Sequence, residues 1–377
     1  MSAVRARPSA PHMGFLYKRI LRPIFFSFDP EFIHDMMTNA GAFLGKIGFG
    51  KWLVKSLFSY SHPMLEQKLW GIPFKNPVGL GAGFDKDAKV YSIMGSVGFG
   101  FAEIGTITFG SYEGNPKPRL YRLPQSKALV VYYGLKNMGA KAMTKLLKTK
   151  DKDIPQIISI GRTNAATAAS FEDSIVDYYK CFKEFVDADV GDAYEINISC
   201  PNLFGGVSFD DEMSLEKLLQ KIYTLQIKKP VFIKMPINLP WPEFKKLVDV
   251  ALRFKVQALV IGNLNKNRND PTIKEVIPEN IKGSISGKPT RELSNNLISE
   301  TYKYCGDKIK IIGLGGIFSA ADAYEKICRG ASMVELITGM IYEGPGLIGN
   351  INRDLVTLLK KDGYQHISEA VGALNPL

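Results

Sequence analysis

The chain has 377 residues, of which 45% are hydrophobic and 23% are charged, and it includes 35 glycines. This composition is typical of a folded α/β protein with one large domain or two ordinary ones, and it excludes a low-complexity or collagen-like chain. The formal net charge of +11 comes from lysines spread along predicted helices, without any nucleic-acid-binding motif. We therefore expect a solvated basic surface, with attraction to a membrane surface as the next explanation, and no nucleic-acid partner.

The cysteines and histidines form no recognisable metal or disulfide pattern. Cys181, Cys200, Cys305 and Cys328 are widely spaced, and they are accompanied by only four histidines. Zinc sites and disulfide frameworks need closer and more regular spacing than this. We expect no metal site and a reducing compartment.

The first 28 residues have the composition of a basic arm. They carry five arginines or lysines, and no acidic residue precedes Asp29. Such a segment is typical of a transit peptide or of an arm that faces a membrane. No apolar run approaches the roughly 20 residues of a spanning helix, so we expect no transmembrane segment.

Residues 29–68 are predicted to form two short amphipathic helices. Asp29-Pro30-Glu31 has the pattern of an N-cap followed by proline at the first helical position. Apolar residues then recur at helical spacing as far as Ile47, and a glycine break at Gly48 and Gly50 precedes a second helix around Trp52. These helices could dock onto the main body or lie in a lipid interface, which the basic flank favours.

Residues 69–377 alternate apolar runs with helix-period segments. The eight predicted strands are 77–80, 100–106, 157–160, 193–199, 231–235, 258–261, 309–314 and 333–338. The clearest predicted helices are 171–186, 215–225, 241–254 and 320–327. Eight strands alternating with helices predict a (β/α)8 TIM barrel; a doubly wound sheet is the alternative, but no GxGxxG follows the first strand.

The predicted strand ends carry polar and glycine-rich segments, where barrels of this kind place their chemistry. The fourth strand runs into Asn197-Ile198-Ser199-Cys200-Pro201-Asn202, and Lys234 is embedded in the apolar fifth strand. Glycine-rich turns at 313–316 and 336–339 resemble a barrel phosphate site. The pattern suggests a phosphorylated planar cofactor, with FMN favoured over a nucleoside triphosphate because no P-loop is present. Pyridoxal phosphate on Lys234 or Lys86 remains an alternative.

Several of these segments together resemble the dihydroorotate dehydrogenases. The matching segments are Asn76 to Lys86, Gly114-Asn115-Pro116-Lys117-Pro118-Arg119, Asn197 to Asn202, Ser286-Gly287-Lys288-Pro289 and Gly313 to Gly316. The N-terminal helices around Phe28-Asp29-Pro30-Glu31 and His34 resemble the class 2 branch, which is membrane-associated and uses quinone. The resemblance covers almost the whole chain and implies a peripheral protein of the bacterial cytoplasmic or mitochondrial inner membrane.

The resemblance implies FMN-dependent oxidation of dihydroorotate to orotate in pyrimidine biosynthesis, with quinone as the final acceptor. Cys200 would be the base that removes the C5 proton while the C6 hydride passes to flavin N5. Lys234 would stabilise negative charge on the reduced ring. The implied substrate contacts are Lys86, Asn197, Asn202 and Asn263. The implied FMN contacts are Ala82, Gly83, Lys86, Thr106, Asn197, Lys234, Ser286, Gly287, Gly315, Gly316 and Thr338. The implied quinone-site residues are His34 and Arg122.

The chain departs from the family pattern on the substrate side. Cys200 is a class 1-like base in a class 2-like chain, where serine is usual. Val131 replaces an asparagine that contacts substrate, and Lys136 stands at or next to another amide position, where it could bind a carboxylate. The other departures are Leu264 for a hydroxyl residue, Gly262 for a threonine and Ser159 for an asparagine that commonly binds FMN.

These departures leave two alternatives to dihydroorotate oxidation. One is a paralogue that uses the same FMN chemistry on a different cyclic amide or enoate. The other is a flavin-binding or degenerate scaffold without turnover.

Overall fold

The structure, a computed structural model, describes residues 11–202 and 206–375. Its strands, in chain order, are β1 (Gln67–Leu69), β2 (Ile72–Phe74), β3 (Val78–Leu80), β4 (Phe101–Ile107), β5 (Leu120–Leu123), β6 (Ala128–Val131), β7 (Gln156–Ile160), β8 (Ala193–Asn197), β9 (Val231–Met235), β10 (Ala258–Ile261), β11 (Ser284–Gly287), β12 (Lys310–Leu314) and β13 (Met333–Leu336).

The α-helices lie before, between and after these strands. They are α1 (Pro11–Leu16), α2 (Arg22–Phe26), α3 (Pro30–Lys46), α4 (Gly48–Phe58), α5 (Tyr91–Val97), α6 (Ala140–Leu147), α7 (Phe171–Ala188), α8 (Glu212–Ile222), α9 (Trp241–Arg253), α10 (Arg291–Cys305), α11 (Ala320–Cys328), α12 (Thr338–Glu343) and α13 (Leu347–Lys361). A π-helical turn, Tyr17–Leu21, joins α1 to α2, and short 3₁₀ turns are Pro63–Leu65, Ala166–Ala168, Lys288–Thr290, Gly306–Lys308 and Ile367–Ala370.

Eight strands form a closed parallel barrel in the order β3, β4, β7, β8, β9, β10, β12, β13. The last strand pairs with the first, with Leu336 opposite Leu80, and this pairing closes the ring. The strands are almost entirely buried, as expected for a parallel sheet whose outer face is covered by helices. The predicted TIM barrel is confirmed, and its eight strands are the eight that the apolar runs indicated.

The amino-terminal end of the barrel is plugged by aromatic side chains. The β1–β2 hairpin lies across it, and the Trp70 ring packs 4.6 Å from the ring of Phe232. Phe74 and Phe101, with ring centroids 5.6 Å apart, continue this cluster. The carboxyl ends of the strands are therefore the end at which ligands can enter.

A separate three-stranded antiparallel sheet stands beside the carboxyl ends. It has the order β11, β6, β5, so it joins the segment after β4 to the segment after β10. Val131 pairs with Leu120 on one side and with Ser284 on the other. This sheet was not predicted, and it forms one wall of the cavity described below.

The N-terminal helices pack on the same end of the molecule. Asp29 caps α3 as predicted, because its Oδ1 accepts a hydrogen bond of 2.8 Å from Phe32 N. Buried Glu31 pairs with Arg119, 3.3 Å away, and ties α3 to the start of β5. The two predicted helices are present, but the break between them falls at Ile47, one residue before Gly48. Gly48 and Gly50 both lie in α4, where a Cβ at Gly50 would meet Leu44 O at 2.6 Å, so glycine permits the close packing of α3 and α4.

The basic arm is helical from residue 11 onward. Tyr17 donates a hydrogen bond of 2.6 Å to Ile341 O, and Arg22 donates one of 3.0 Å to Tyr342 O. Lys18 pairs with Glu343 of the same helix, α12. These contacts hold the arm against the barrel, whereas Arg5 and Arg7 lie outside the described residues.

Candidate active site

One cavity opens at the carboxyl ends of the barrel strands, between the barrel, α3 and the small sheet. It encloses about 1240 Å³ of space between protein atoms, open to solvent. The residues assigned from the sequence to catalysis, substrate or cofactor all line it: Ala82, Gly83, Lys86, Thr106, Lys136, Asn197, Cys200, Asn202, Lys234, Asn263, Ser286, Gly287, Gly315, Gly316 and Thr338. His34 also lines it, but Arg122 does not.

Glycines shape one end of this cavity as a cradle. A Cβ on Gly83, whose φ is +109°, would stand in open space with its nearest neighbour, Ile337 Cδ1, 4.0 Å away. Gly315 and Gly316 also have positive φ, +103° and +71°, so larger residues would be strained there. Ser286 Oγ and Thr338 Oγ1 meet at 2.5 Å across the same end. This arrangement fits a flat ring and a phosphate.

Lys234 brings a cation into the cradle from inside the barrel. Its Nζ lies 3.4 Å from Glu103 Oε2 and 3.8 Å from Glu195 Oε2. Burial by itself lowers the pKa of Lys234, but Glu195, Glu103 and Glu335 outweigh this effect and raise the pKa above its usual value. The Lys234 side chain is therefore protonated and positively charged at neutral pH.

The glutamates around Lys234 were missed in the sequence. Glu103, Glu195 and Glu335 are each completely buried. A lysine in an apolar strand requires an anionic partner, and each glutamate lies within an apolar strand in the same way as Lys234. That shared pattern could have identified them.

Asn197 is held rigidly at the end of β8. Its Nδ2 donates a hydrogen bond of 2.9 Å to Thr106 Oγ1, and its carbonyl accepts one of 2.7 Å from the Tyr178 hydroxyl. Thr106 Oγ1 lies 2.9 Å from Ser159 Oγ. Two predicted cofactor contacts thus form one hydrogen-bonded unit.

The turn after β8 carries Cys200 and two amides. Burial raises the pKa of the Cys200 thiol to about 11, although the Asn202 backbone, Arg162 and Lys234 act in the opposite direction. This differs from the expectation that a thiol would be easily deprotonated near neutral pH, because that expectation did not include the loss of hydration. The thiolate of Cys200 therefore becomes abundant only at high pH.

The amides of this turn are partly engaged by the protein. Asn202 Nδ2 donates a hydrogen bond of 3.0 Å to Val131 O, so the turn is tied to the small sheet. Asn263 Nδ2 donates one of 2.5 Å to Ser199 Oγ. Asn263 Oδ1 accepts a hydrogen bond of 2.8 Å from Leu264 N. Cys200, Asn202 and Asn263 line the same part of the cavity, which is called its polar end.

Two lysines stand at that polar end without an acidic partner. In residues 11–202 and 206–375, neither Lys86 nor Lys136 forms an ion pair. Lys86 Nζ lies 4.0 Å from the centroid of the Tyr133 ring. Burial lowers the pKa of Lys86 to about 8; Lys136 lowers it further, and Asp87 opposes the shift. An anion can therefore bind to these two lysines without displacing an acidic side chain.

The apolar end of the cavity borders the N-terminal helices. His34 packs edge-on against Phe84, with ring centroids 5.2 Å apart. Burial, with Lys86, Lys89 and Lys136 nearby, lowers the pKa of His34 to about 3, so the imidazole is neutral.

Arg122 turns away from this end. It donates a hydrogen bond of 2.6 Å to Phe28 O, and its guanidinium lies 4.6 Å from the centroid of the Phe26 ring. Carbonyls just beyond the C-terminus of α2 attract the cation away from the cavity.

Comparisons with known proteins agree along most of the chain. Residues 64–359 match the family model described as dihydroorotate dehydrogenase. A Trichodesmium erythraeum protein named dihydroorotate dehydrogenase (quinone) is 34% identical over 380 residues, covering 96% of this chain and 99% of that protein. A protein of the same name from Crocosphaera subtropica is 39% identical over 334 residues, covering 86% and 88%. The crystal structure of DHODH from Eimeria tenella in complex with ferulenol matches with a TM-score of 0.79 and 26% identity, covering 93% of this chain and 96% of that one.

Proposed function

This chain belongs to the dihydroorotate dehydrogenase family, and we propose that it oxidises dihydroorotate to orotate with FMN as cofactor and quinone as final acceptor. This reaction is a step of pyrimidine biosynthesis. The observation that carries the proposal is a single cavity in which a glycine cradle, a buried lysine, a thiol and an anion-binding end meet.

The cradle end holds FMN, which when bound supplies the hydride acceptor. The proposed contacts are Ala82, Gly83, Lys86, Thr106, Asn197, Lys234, Ser286, Gly287, Gly315, Gly316 and Thr338. Ser286 and Thr338 present hydroxyl groups to the phosphate, and Lys234 places its charge where negative charge develops. The family match and the open space beside Gly83 support FMN over pyridoxal phosphate.

The polar end binds dihydroorotate. Lys86 and Lys136 attract its carboxylate, and Asn197, Asn202 and Asn263 orient its ring amides. Cys200 takes the proton from the ring carbon while the hydride leaves on the opposite side.

The apolar end admits quinone. Leu120, Leu129 and Ile341 line it beside His34, whose neutral imidazole suits an uncharged head group. We place Arg122 as a residue that fixes the end of α2 at this entrance. Its hydrogen bond to Phe28 O supports that role.

The N-terminal helices hold the protein on a membrane surface. Among the described residues, 14 of the 21 exposed large hydrophobic side chains lie between Phe15 and Leu53. Lys18, Arg19 and Lys55 accompany them and suit anionic lipid. No helix in residues 11–202 or 206–375 is long and apolar enough to cross a bilayer.

We accordingly divide the chain into an arm at 1–28, a membrane and quinone-access extension at 29–68 and an FMN-binding barrel at 69–377. A peripheral position on the bacterial cytoplasmic or mitochondrial inner membrane follows from this division. Replacing Phe43, Phe49 and Trp52 by serine tests it, because each is more than half exposed. We expect reduced sedimentation with anionic vesicles and slower turnover with quinone, but unchanged flavin reduction; vesicle binding equal to that of the unaltered protein would contradict the membrane role.

Anaerobic mixing of the yellow protein with dihydroorotate tests the reaction itself. Bleaching of the flavin absorbance supports the proposal. A yellow protein that dithionite bleaches and dihydroorotate does not would favour the second candidate, a paralogue that acts on another cyclic amide or enoate. Val131, Lys136 and Leu264 in the cavity wall favour that candidate. A protein that takes up no FMN would contradict both and leave a degenerate scaffold.

A further inference from the structure

Four ionisable side chains from four barrel strands meet at the wall of the cavity. Glu103, Glu195 and Glu335 are completely buried, and they share the single cation of Lys234. Ala82, in the cavity wall, donates a backbone hydrogen bond of 2.9 Å to Glu103 Oε2. We call these four residues the acid cluster.

The acid cluster contains three carboxyl groups and one cation, the ammonium group of Lys234. If all three glutamates were ionised, the cluster would hold two uncompensated negative charges without access to water. Buried carboxyl groups avoid this state by remaining protonated. Burial, together with the neighbouring Glu103, raises the pKa values of Glu195 and Glu335 well above their usual range, against the opposing effect of Lys234.

The hydrogen bonds identify which carboxyl groups carry the protons. Across the described part of the chain, no amide, hydroxyl or ammonium group donates to either Glu335 oxygen or to Glu195 Oε2. Glu103 Oε2 accepts from both Lys234 and Ala82. Glu195 and Glu335, which have fewer donors than Glu103, are therefore the two acids that keep their protons.

A chain of hydroxyl groups leads from Glu195 to the cavity. Ser159 Oγ donates a hydrogen bond of 2.6 Å to Glu195 Oε1 and lies 2.9 Å from Thr106 Oγ1. Thr106 lines the cavity and accepts a hydrogen bond from Asn197 Nδ2. The hydroxyl hydrogens of Ser159 and Thr106 can rotate, so this chain of oxygens can carry a proton.

We propose that Glu195 is an internal proton donor to the cofactor end of the cavity, acting through Ser159 and Thr106. The inference rests on the proposed function, in which a hydride enters the cofactor end while the substrate proton goes to Cys200. That end then gains one negative charge. The Ser159 hydroxyl, which donates to Glu195 in the resting site, first rotates toward Thr106. Glu195 then gives its proton to Ser159, Ser159 passes its own to Thr106, and Thr106 passes its own to the charged group in the cavity. Glu195 remains as a carboxylate opposite Lys234, and no electron leaves the protein.

Infrared difference spectroscopy of the FMN-loaded protein tests this proposal without the natural substrate. Dithionite reduces the bound flavin at about pH 8, where Asp85, whose pKa burial raises to about 6, is ionised. We expect the unaltered protein to lose one protonated-carboxyl band on reduction, and we expect this band to shift in deuterated buffer. The Glu195→Gln variant should lack this loss, whereas the matched Glu335→Gln variant should retain it.

The relay residue supplies a second, independent measurement. The Ser159→Ala variant should keep the band in the oxidised protein and lose it at least about a hundredfold more slowly after reduction. An unchanged carboxyl band in the reduced unaltered protein, or equally fast loss in Ser159→Ala, would overturn the proposal. A band loss on dithionite reduction in a protein that dihydroorotate does not bleach would leave this inference standing and reject the proposed substrate. A protein that takes up no FMN would overturn both.

Discussion

The cofactor end and the substrate end of the cavity are built in different ways. At the cofactor end, Thr106, Asn197 and Lys234 project from barrel strands and are held by one another or by buried glutamates. At the substrate end, Leu135, Lys136 and Leu264 lie on loops, and the Lys136 ammonium has no hydrogen-bonding partner in the described residues. Loop residues can change without disturbing the barrel, whereas residues on barrel strands cannot change so freely. Binding of the cofactor therefore restricts the scaffold more than binding of a particular substrate does.

Replacing the Cys200 thiol should give the largest difference between the substrate end and the cofactor end of the cavity. We expect Cys200→Ala to slow flavin reduction by dihydroorotate by about 10²–10⁴-fold, because the proton at the ring carbon loses its acceptor. FMN content should stay the same, since no cradle residue changes. Stopped-flow absorbance measures the rate, and Cys305→Ala, at a buried thiol in α10, is the matched control. Full-rate reduction in the Cys200 variant would remove this residue from the role of base.

The pH dependence sharpens the same comparison. The thiolate is the active form and the Cys200 pKa is about 11, so flavin reduction at saturating substrate should rise roughly tenfold per pH unit from about pH 6 to about pH 9. Substrate affinity should fall above about pH 8, because Lys86 loses its proton there. Separate measurement of the limiting rate and the half-saturating concentration distinguishes these effects. A limiting rate that is flat with pH would contradict the thiolate mechanism.

Lys136 tests the substrate end alone. We expect Lys136→Met to weaken binding of dihydroorotate about tenfold, because a charge-assisted hydrogen bond to the carboxylate is lost. The limiting rate of flavin reduction and the FMN content should change little. Lys141→Met, on the exposed face of α6, controls for the general loss of positive charge. Equal losses in both variants would indicate long-range attraction instead of contact.

Substitution of Val131 should have the smallest effect, and it gives the clearest indication of which substrate the protein binds. Val131→Asn introduces the amide that the family resemblance implies at this position. We expect it to tighten dihydroorotate binding a few-fold, because the new hydrogen bond is partly offset by the desolvation of the amide. Titration of the flavin spectrum with orotate measures this change, and Val131→Thr controls for polarity without the amide. Weaker binding in the asparagine variant would favour a substrate other than dihydroorotate.

The barrel was predictable because strand and helix periods alternate clearly after residue 69. Each strand is an apolar run that ends in glycine or a polar residue, and local pattern alone specifies such elements. The small sheet was not predicted, because β11 is separated from the β5–β6 hairpin by strands β7 to β10 and pairs with it only after folding. The helical arm was missed because its basic residues and Pro23 obscure the spacing of Phe15, Ile20 and Ile24.

Part of the candidate site was predictable because its residues lie at the ends of strands that the sequence pattern indicates. Residues at strand ends, such as Asn197 and Lys234, followed from the barrel itself. The direction of Arg122 did not, because it depends on the carbonyls of residues 26 and 28, nearly a hundred positions away in sequence. The pKa of Cys200 also required the folded structure, since burial is a tertiary property.

The small sheet has a consequence for inhibition. Leu120 and Leu129 line the apolar end of the cavity, and Val131 lines the same wall two positions beyond Leu129. A flat molecule lying on this wall would compete with quinone through one edge and with substrate through the other. Because Val131 presents methyl groups to this wall, a compound with an apolar edge there should bind more tightly to this protein than to its Val131→Asn variant.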